Sequence, residues 1–304
     1  MRVTNNGIMS SYLRDIQTNL QNMDKLNEQL NTEKQVNRIS DNPLKTVKIL
    51  NIQNEIENTE KYNYNCDEIT GWLDITDESL DRIANLSSDI KTKLTSISGA
   101  FGKDEIAATR SEVNEKIKQI GEILNTTYAG KYIFGGQLTD IPPINTNVDK
   151  NGIVSLSIKN KDNDNLNKKL NSAISSGLNI NYNLTVKDVT GGDKGLKLFN
   201  DLSVALSGDV VDTDEIGKLS TKIDNYMNDI LNNRSIVGSR TNTIDKVKET
   251  NEQNILSMKG ALSSIQDVDM TKQFMHLKEA QMVYASSLQV GAKLIQGTLL
   301  DYLR

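Results

Sequence analysis

The sequence predicts a mainly α protein, an elongated antiparallel helical bundle with paired terminal coiled-coil helices and a small inserted β or α+β domain. Three observations predict it. Apolar residues recur at steps of three and four along most of the chain, proline is confined to Pro43 and the pair Pro142 and Pro143, and one central stretch turns to Asn, Asp and Gly with short alternating apolar runs. With aromatics at only 5% of 304 residues, the apolar content sits in narrow stripes rather than in the dense blocks of a single core.

Taken in order, residues 9–30 place Met9, Leu13, Ile16, Leu20, Met23 and Leu30 on one stripe of a first helix. Such a stripe cannot be left in water, so the helix requires a partner. Asn42 followed by Pro43 supplies an N-cap and a first-turn proline for a second helix. Its pattern runs from Leu44 to about Ile97 through Ile56, Ile69, Leu73, Leu80, Ile83, Ile90 and Leu94, a length of about 80 Å at 1.5 Å per residue. After a loop at Gly99 to Gly102, a third helix carries Val113, Ile117, Ile120 and Leu124 and ends before Gly130.

From Tyr132 to Phe199 the composition changes, with β-like runs at Ile153 to Ile158 and Ile180 to Val186. Gly191 and Gly192 then turn the chain back to helix. A long run follows through Ile216, Leu219, Ile223, Ile230, Val237, Ile244, Val247, Ile255, Met258, Leu262 and Ile265, matching the second helix in length as antiparallel packing requires. Asp267 and Asp269 end that helix and begin the last one, whose stripe is Leu277, Tyr284, Leu288, Ile295 and Tyr302. Residues 1–42 with 270–304 are thus expected to form a terminal-helix domain, 43–136 with 200–269 the long bundle, and 137–199 a mostly β insert.

Several function classes are excluded at this level. A net charge of −5 and no cluster of Lys and Arg with aromatics exclude nucleic acid as the expected partner. Residues 280–300 hold a single charge, Lys293, but Gln281, Ser286, Ser287, Gln289, Gln296 and Thr298 would need partners in hydrocarbon, so the segment reads as a helix buried among protein and not as a membrane insertion. The first 25 residues lack the apolar region of a cleaved signal peptide, so the chain either stays inside the cell or leaves uncleaved.

Neither catalysis nor a cofactor or metal is expected. The one cysteine, Cys66, reads as a buried free thiol, and the one histidine, His276, lies on the last helix without a nucleophile or HExxH context. The glycines of Thr190 to Gly195 fit a turn rather than a phosphate loop. Asp162, Asp164 and Asn165 begin like a calcium loop, but Asn167 stands at the glycine position and Ala173 at the closing glutamate. Trp72, Tyr132 and Phe134 read as packing residues at junctions. On periodicity alone, a cytoplasmic coiled-coil tether or signalling module fits as well as an assembly protein.

Several stretches together resemble the bacterial flagellin family, and more closely its hook-filament junction branch. The opening Met1 to Asn5 with its amphipathic helix is similar to the family's start. Asn31 to Pro43 is similar to the family's STGKKINSASDDP peptide, departing at Glu33 where the family has glycine and at Asn42 where it has aspartate. Asn125 to Gly136 resembles the branch's NxxxxGRYLFAG segment, the ending Leu299 to Arg304 its LFDY ending, and Arg234, Gly238, Arg240 and Asn242 the family's RxxxGxRxN helix.

The resemblance implies a structural adaptor whose terminal helices form the inner tube of an axial assembly, disordered until assembly orders them. It also implies a location on the extracellular flagellum after export without a cleaved signal. The implied partners are copies of itself in a ring, the hook-side junction protein, flagellin and an export chaperone. The implied assembly interface is Leu13, Ile16, Leu20, Met23, Leu30, Leu277, Tyr284, Leu288, Ile295 and Leu299. Ser40, Asp41, Asn42 and Pro43 form the family turn. The filament subunit, flagellin itself, is the nearest alternative.

Overall fold

The computed structural model describes residues 2–97, 102–150, 152–161, 163–208 and 212–302, with side chains described between residues 7 and 293 of those ranges. The loop at 98–101, Asp162, Leu303, Arg304 and the side chains of Ile295, Leu299 and Tyr302 lie outside the described residues. The main helices are α1 (Arg2–Thr32), α2 (Pro43–Ser96), α3 (Lys103–Leu124), α6 (Thr213–Gln266) and α7 (Met270–Tyr302). Among the described residues between α3 and α6 lie six short strands, a 3-10 turn at Asp164–Asn167 and two shorter helices, α4 (Val186–Val189) and α5 (Lys194–Ala205). The mainly α class with a small mixed insert is therefore the observed one. The chain divides into two compact units, Met1–Asn58 with Gln253–Arg304 and Thr59–Glu252.

In the second unit, the apolar stripes read from the sequence meet one another. Ile69, Leu73, Leu80, Ile83 and Ile90 of α2 share a core with Val113, Ile117, Ile120 and Leu124 of α3 and with Ile223, Ile230, Val237 and Ile244 of α6. Ion pairs along the margins report the direction of packing. Lys91 meets Asp224 at 2.5 Å, Arg234 forks onto Asp77 at 2.9 Å and Asp81 at 2.5 Å, and Lys248 meets Asp67 at 2.5 Å. Numbers fall along α2 as they rise along α6, so the two helices are antiparallel. These pairs are partly exposed and each contributes about 1 kcal/mol or less, so burial of the stripes dominates and the charges fix register.

The insert is anchored on the bundle by side-chain amides. Asn125, the C-cap of α3, holds Ile144 from both sides, donating to its carbonyl at 2.9 Å and accepting its N–H at 3.0 Å. That fixes the start of β3 (Ile144–Val148), which pairs antiparallel with β4 (Val154–Ile158). The free edge of β4 is covered by α5: Ser203 Oγ accepts from Val154 N at 2.8 Å, and Asn200 accepts from Leu156 N at 2.7 Å and donates back to its carbonyl at 3.1 Å. An edge strand satisfied by a helix's side chains is closed to further pairing. The second hairpin joins β5 (Asn171–Ser175) and β6 (Leu178–Asn181), with an irregularity in register between Ala173 and Ser175.

Two sequence readings of the insert change in the structure. The run from Ile180 to Val186 is a strand only as far as Asn181, because Thr185 opens α4: its hydroxyl accepts from Asp188 N while Asp188 Oδ2 accepts from Thr185 N at 2.9 Å. A capping box overrides the β-like composition. Helix α5 also follows the turn at Gly191 and Gly192, which have φ of 60° and 77°, and it buries Leu196, Leu198, Phe199 and Leu202. Its stripe of three and four was hidden by the polar residues around it.

In the first unit, the α1–α2 and α6–α7 connections are stitched together. Gln35 N donates to Gln266 O at 2.7 Å and Val268 N to Glu33 O at 3.0 Å, around a bridge between Lys34 and Asp267. Asn42 Oδ1 accepts from Lys45 N at 3.0 Å, which with Pro43 at the first position starts α2, and Asp269 Oδ1 accepts from Lys272 N at 3.1 Å to start α7. Asp41 accepts from Arg38 N at 3.1 Å and pairs with Lys25 at 2.9 Å. The hydrogen bond from Lys25 holds the Asp41 carboxyl below its ordinary value. A depressed carboxylate favours the folded turn above about pH 4 and loses that contribution as pH falls.

Glu33 sits at φ 57°, in the left-handed region that disfavours side chains. Glycine there removes about 1 kcal/mol of strain but gives back a similar amount in unfolded-state freedom. Glu33→Gly is therefore expected to leave thermal stability nearly unchanged. Glu33→Val, β-branched at the same φ, is expected to lower stability by about 1–2 kcal/mol, read by circular-dichroism melting of both variants side by side.

Candidate assembly surface on the terminal helices

Within the first unit, α1 and α7 lie against each other as a helical pair. The covered positions along α1 include Tyr12, Ile16, Asn19, Met23, Leu26 and Leu30, with Glu28 and Gln29 beside the last; along α7 they include Gln273, Leu277, Ala280, Tyr284, Ser287 and Gly291, with Gln281 beside Ala280. The main positions of both helices advance by three and four, the spacing of a coiled-coil seam. Two polar contacts fasten it: the Tyr12 hydroxyl donates to Ser287 O at 2.9 Å, and Gln273 Nε2 donates to Gln29 Oε1. Gln29 is itself held by its Nε2, which donates to Gln35 O at 2.7 Å just beyond the end of α1.

Gly291 is required by the close approach of Tyr12. A Cβ at that position would lie 1.9 Å from the Tyr12 hydroxyl and 2.2 Å from its ring carbon. Gly291→Ala is expected to expel Tyr12 from the seam and cost the pair about 1–3 kcal/mol despite the better helix propensity of alanine. Hydrogen exchange on α1 and α7 reads that loss. In a Tyr12→Ala background the same change is expected to cost nothing, which assigns the effect to this contact.

The ten interface positions expected from the sequence divide into five in the seam, three exposed and two outside the described side chains. Leu277 is buried, and Ile16, Met23, Leu30 and Tyr284 are half-buried, all on the seam between α1 and α7. Leu13, Leu20 and Leu288 are 52%, 39% and 46% exposed and are not brought into the seam. Ile295 and Leu299 have side chains outside the described residues. Sequence reasoning missed Tyr12, Gln29, Gln273 and Gly291, because polar residues and glycine do not register in a search for apolar periodicity; the matching steps of three and four on both helices were the available signal.

Outside the seam Met9, Leu13, Leu20, Met282, Val283, Leu288 and Val290 are exposed. A shallow groove of about 420 Å³ beside the seam is lined by Tyr12, Asp15, Ile16, Met282, Val283, Ser286, Ser287 and Val290, and includes none of Leu13, Leu20 and Leu288. Covering the exposed half of such a side chain stabilises by about 1 kcal/mol, which makes these residues candidates for a docking contact. In the family turn, Ser40 is exposed beside Asp41, Asn42 and Pro43.

The lone histidine and the lone cysteine have ordinary surroundings. His276 is exposed, with Nδ1 3.3 Å from the Glu279 carboxylate. Cys66 is buried against the Ile174 carbonyl, and burial pushes its thiol pKa up, away from the reactive thiolate. Among the described residues no three His, Cys, Asp or Glu side chains converge to hold a metal ion, and no helix is long and apolar enough to cross a membrane.

Comparison with known proteins gives a consistent result. The profile of the bacterial flagellin N-terminal helical region matches residues 3–139, and that of the C-terminal helical region matches residues 220–303. No curated protein sequence matches the chain. Among solved structures, a protein assigned as a flagellar hook-associated protein from Vibrio parahaemolyticus superposes with a TM-score of 0.65 at 17% identity, over 75% of this chain and 100% of that one. Bacillus cereus FlgL gives 0.54 at 18% over 71% and 99%, and Xanthomonas campestris FlgL 0.53 at 11% over 70% and 99%. At these identities the structures establish a shared fold. With both terminal helical regions matched by the family's own profiles, the chain belongs to the bacterial flagellin family.

Proposed function

We propose that this chain is a structural adaptor of the bacterial flagellum, joining the hook side to the filament by coupled folding and assembly of its terminal helices. The observation that carries the reading is the exposed row of Leu13, Leu20 and Leu288 on a helical pair whose inner seam is already filled. The seam itself is weak for a coiled coil, since Asn19, Gln29, Gln273, Ser287 and Gly291 occupy it. Helices so partnered are marginal alone and gain their order from neighbours.

In this reading residues 1–42 and 270–304 form the assembly domain, with Ile16, Met23, Leu30, Leu277, Tyr284, Ile295 and Leu299 completing its packing. Residues 43–136 and 200–269 form the long bundle, and 137–199 the inserted domain. The partners are copies of the same chain in a ring, the hook-side junction protein, flagellin and an export chaperone. The chain acts outside the cell after export without a cleaved signal, in a structural and not a catalytic task. Likeness in fold to structures named as hook-associated and FlgL proteins supports the adaptor role.

Quantitative mass spectrometry of flagella sheared from the source cells tests it. The expected result is a trace amount of this chain that stays with hook components. A dominant amount would make it the filament subunit, and absence from the sheared material with retention in cells would return the reading to a coiled-coil tether.

A further inference from the structure

A cavity of about 320 Å³ lies within the second unit, where α2 meets the hairpin of β1 (Thr127–Tyr128) and β2 (Lys131–Tyr132) and the β5–β6 hairpin. Asn65, Glu68 and Trp72 contribute one face of α2. Tyr128 and Tyr182 stand edge-on to Trp72, with ring centroids 6.1 and 5.6 Å away and interplanar angles of 77° and 86°. This wall is preorganised. A Cβ on Gly71 would lie 2.4 Å from the Tyr128 hydroxyl, so glycine is what lets that ring seat against α2.

Several polar groups of the cavity face its solvent. Among the described residues, the side chains of Tyr128, Tyr182, Thr139, Ser172 and Gln137 hydrogen-bond to no other protein group, and each lines the cavity without being buried. The Trp72 indole N–H is buried without an acceptor. Glu68 takes the Tyr64 hydroxyl at 3.0 Å on one oxygen and leaves the other open. By contrast, the side chains of Asn125, Asn200 and Ser203 are committed to backbone groups of β3 and β4.

The size suits a single small ligand. Glu68 and Lys131 oppose each other in sign, so the lining has no net charge to select an ion. A hydrocarbon would strand five polar side chains, and an anion would meet the Glu68 carboxylate. A ring with an apolar face and many hydroxyls fits both halves of the lining, its face on the aromatic wall and its hydroxyls on these polar groups. We propose that this cavity is a subsite for a neutral pyranose ring, either a free sugar or the terminal unit of a glycan.

Trp72 is the chain's only tryptophan, so its emission reports on the cavity alone. The full chain is titrated with glucose, galactose, N-acetylglucosamine and their methyl glycosides, with saturation-transfer NMR as the second readout. The expected result is a saturable change for at least one sugar in the millimolar range. Tyr182→Phe and Gln137→Ala, which remove only polar contacts, are expected to weaken that binding by about 2- to 10-fold each with an unchanged melting temperature. Binding of a methyl glycoside as well assigns the site to a glycan end, and binding of free sugars alone to a monosaccharide. No saturable signal by either readout, an equal response to glycerol, or affinity unchanged in both variants would overturn the proposal.

Discussion

Leu288→Asp is expected to leave the chain folded and to remove it from sheared flagella. Leu288 is 46% exposed on α7, so in the isolated chain the new carboxylate meets water and changes stability by about 0.5 kcal/mol or less. Once assembly covers that position, an unpaired carboxylate is desolvated at a cost of several kcal/mol, enough to block incorporation. Leu277→Asp provides the contrast. Leu277 is 6% exposed in the seam with α1, so the same change there is expected to unzip the terminal pair itself. Hydrogen exchange separates the two variants: protection of α1 and α7 is kept in the first and lost in the second. Normal incorporation of Leu288→Asp would place that residue outside the assembly contact and remove the main support for the adaptor reading.

Gly136→Ala carries the largest expected effect on folding in the second unit. Gly136 has φ of 62°, and a Cβ there would lie 2.2 Å from Leu166 O, 2.6 Å from Leu166 C and 2.8 Å from Asn165 O. All three are backbone atoms, and the same Asn165 carbonyl accepts from Gln137 N at 2.9 Å. No side-chain rotation relieves the overlap, so the turn must open, and a loss of about 3 kcal/mol or more follows from left-handed strain plus displaced backbone. Gly130→Ala is the control. Gly130 has φ of 78° but open space around it, so it is expected to lose only about 1 kcal/mol. Urea unfolding of the two variants measures the difference, and equal losses would mean that φ alone, and not contact with residues 165 and 166, sets the cost.

Gly136 also shows why family likeness and physical reading reinforce each other. The stretch from Asn125 to Gly136 matched the junction-branch segment in wording, and the structure gives its residues separate tasks: Asn125 clamps β3, Ile133 and Phe134 are wholly buried, the Phe134 carbonyl accepts from Val186 N at 2.9 Å, and Gly136 admits the 165–166 backbone. Arg240 of the helix motif likewise holds the insert, donating to the carbonyls of Tyr182 at 3.2 Å and Asn183 at 3.1 Å. Apolar periodicity reveals none of these contacts, because they involve side chains meeting backbone far away in sequence.

The sequence by itself determined the five long helices, though not α4 and α5. Proline-free stripes of Ile and Leu at steps of three and four, the Asn42 and Pro43 start of α2, and the Asp269 start of α7 are local features, and a local feature is fully written in neighbouring residues. Tertiary structure alone decided which face of each terminal helix is used within the chain and which is left over. Leu13 and Ile16 look equivalent in a stripe, but one helical pair can bury only one arc of each cylinder; the geometry that gave Gly291 to Tyr12 and Gln273 to Gln29 put Ile16 inside and Leu13 out. The arc that remains exposed exists only after that choice is made, which is why the proposed assembly surface is legible in the fold and not in the stripe alone.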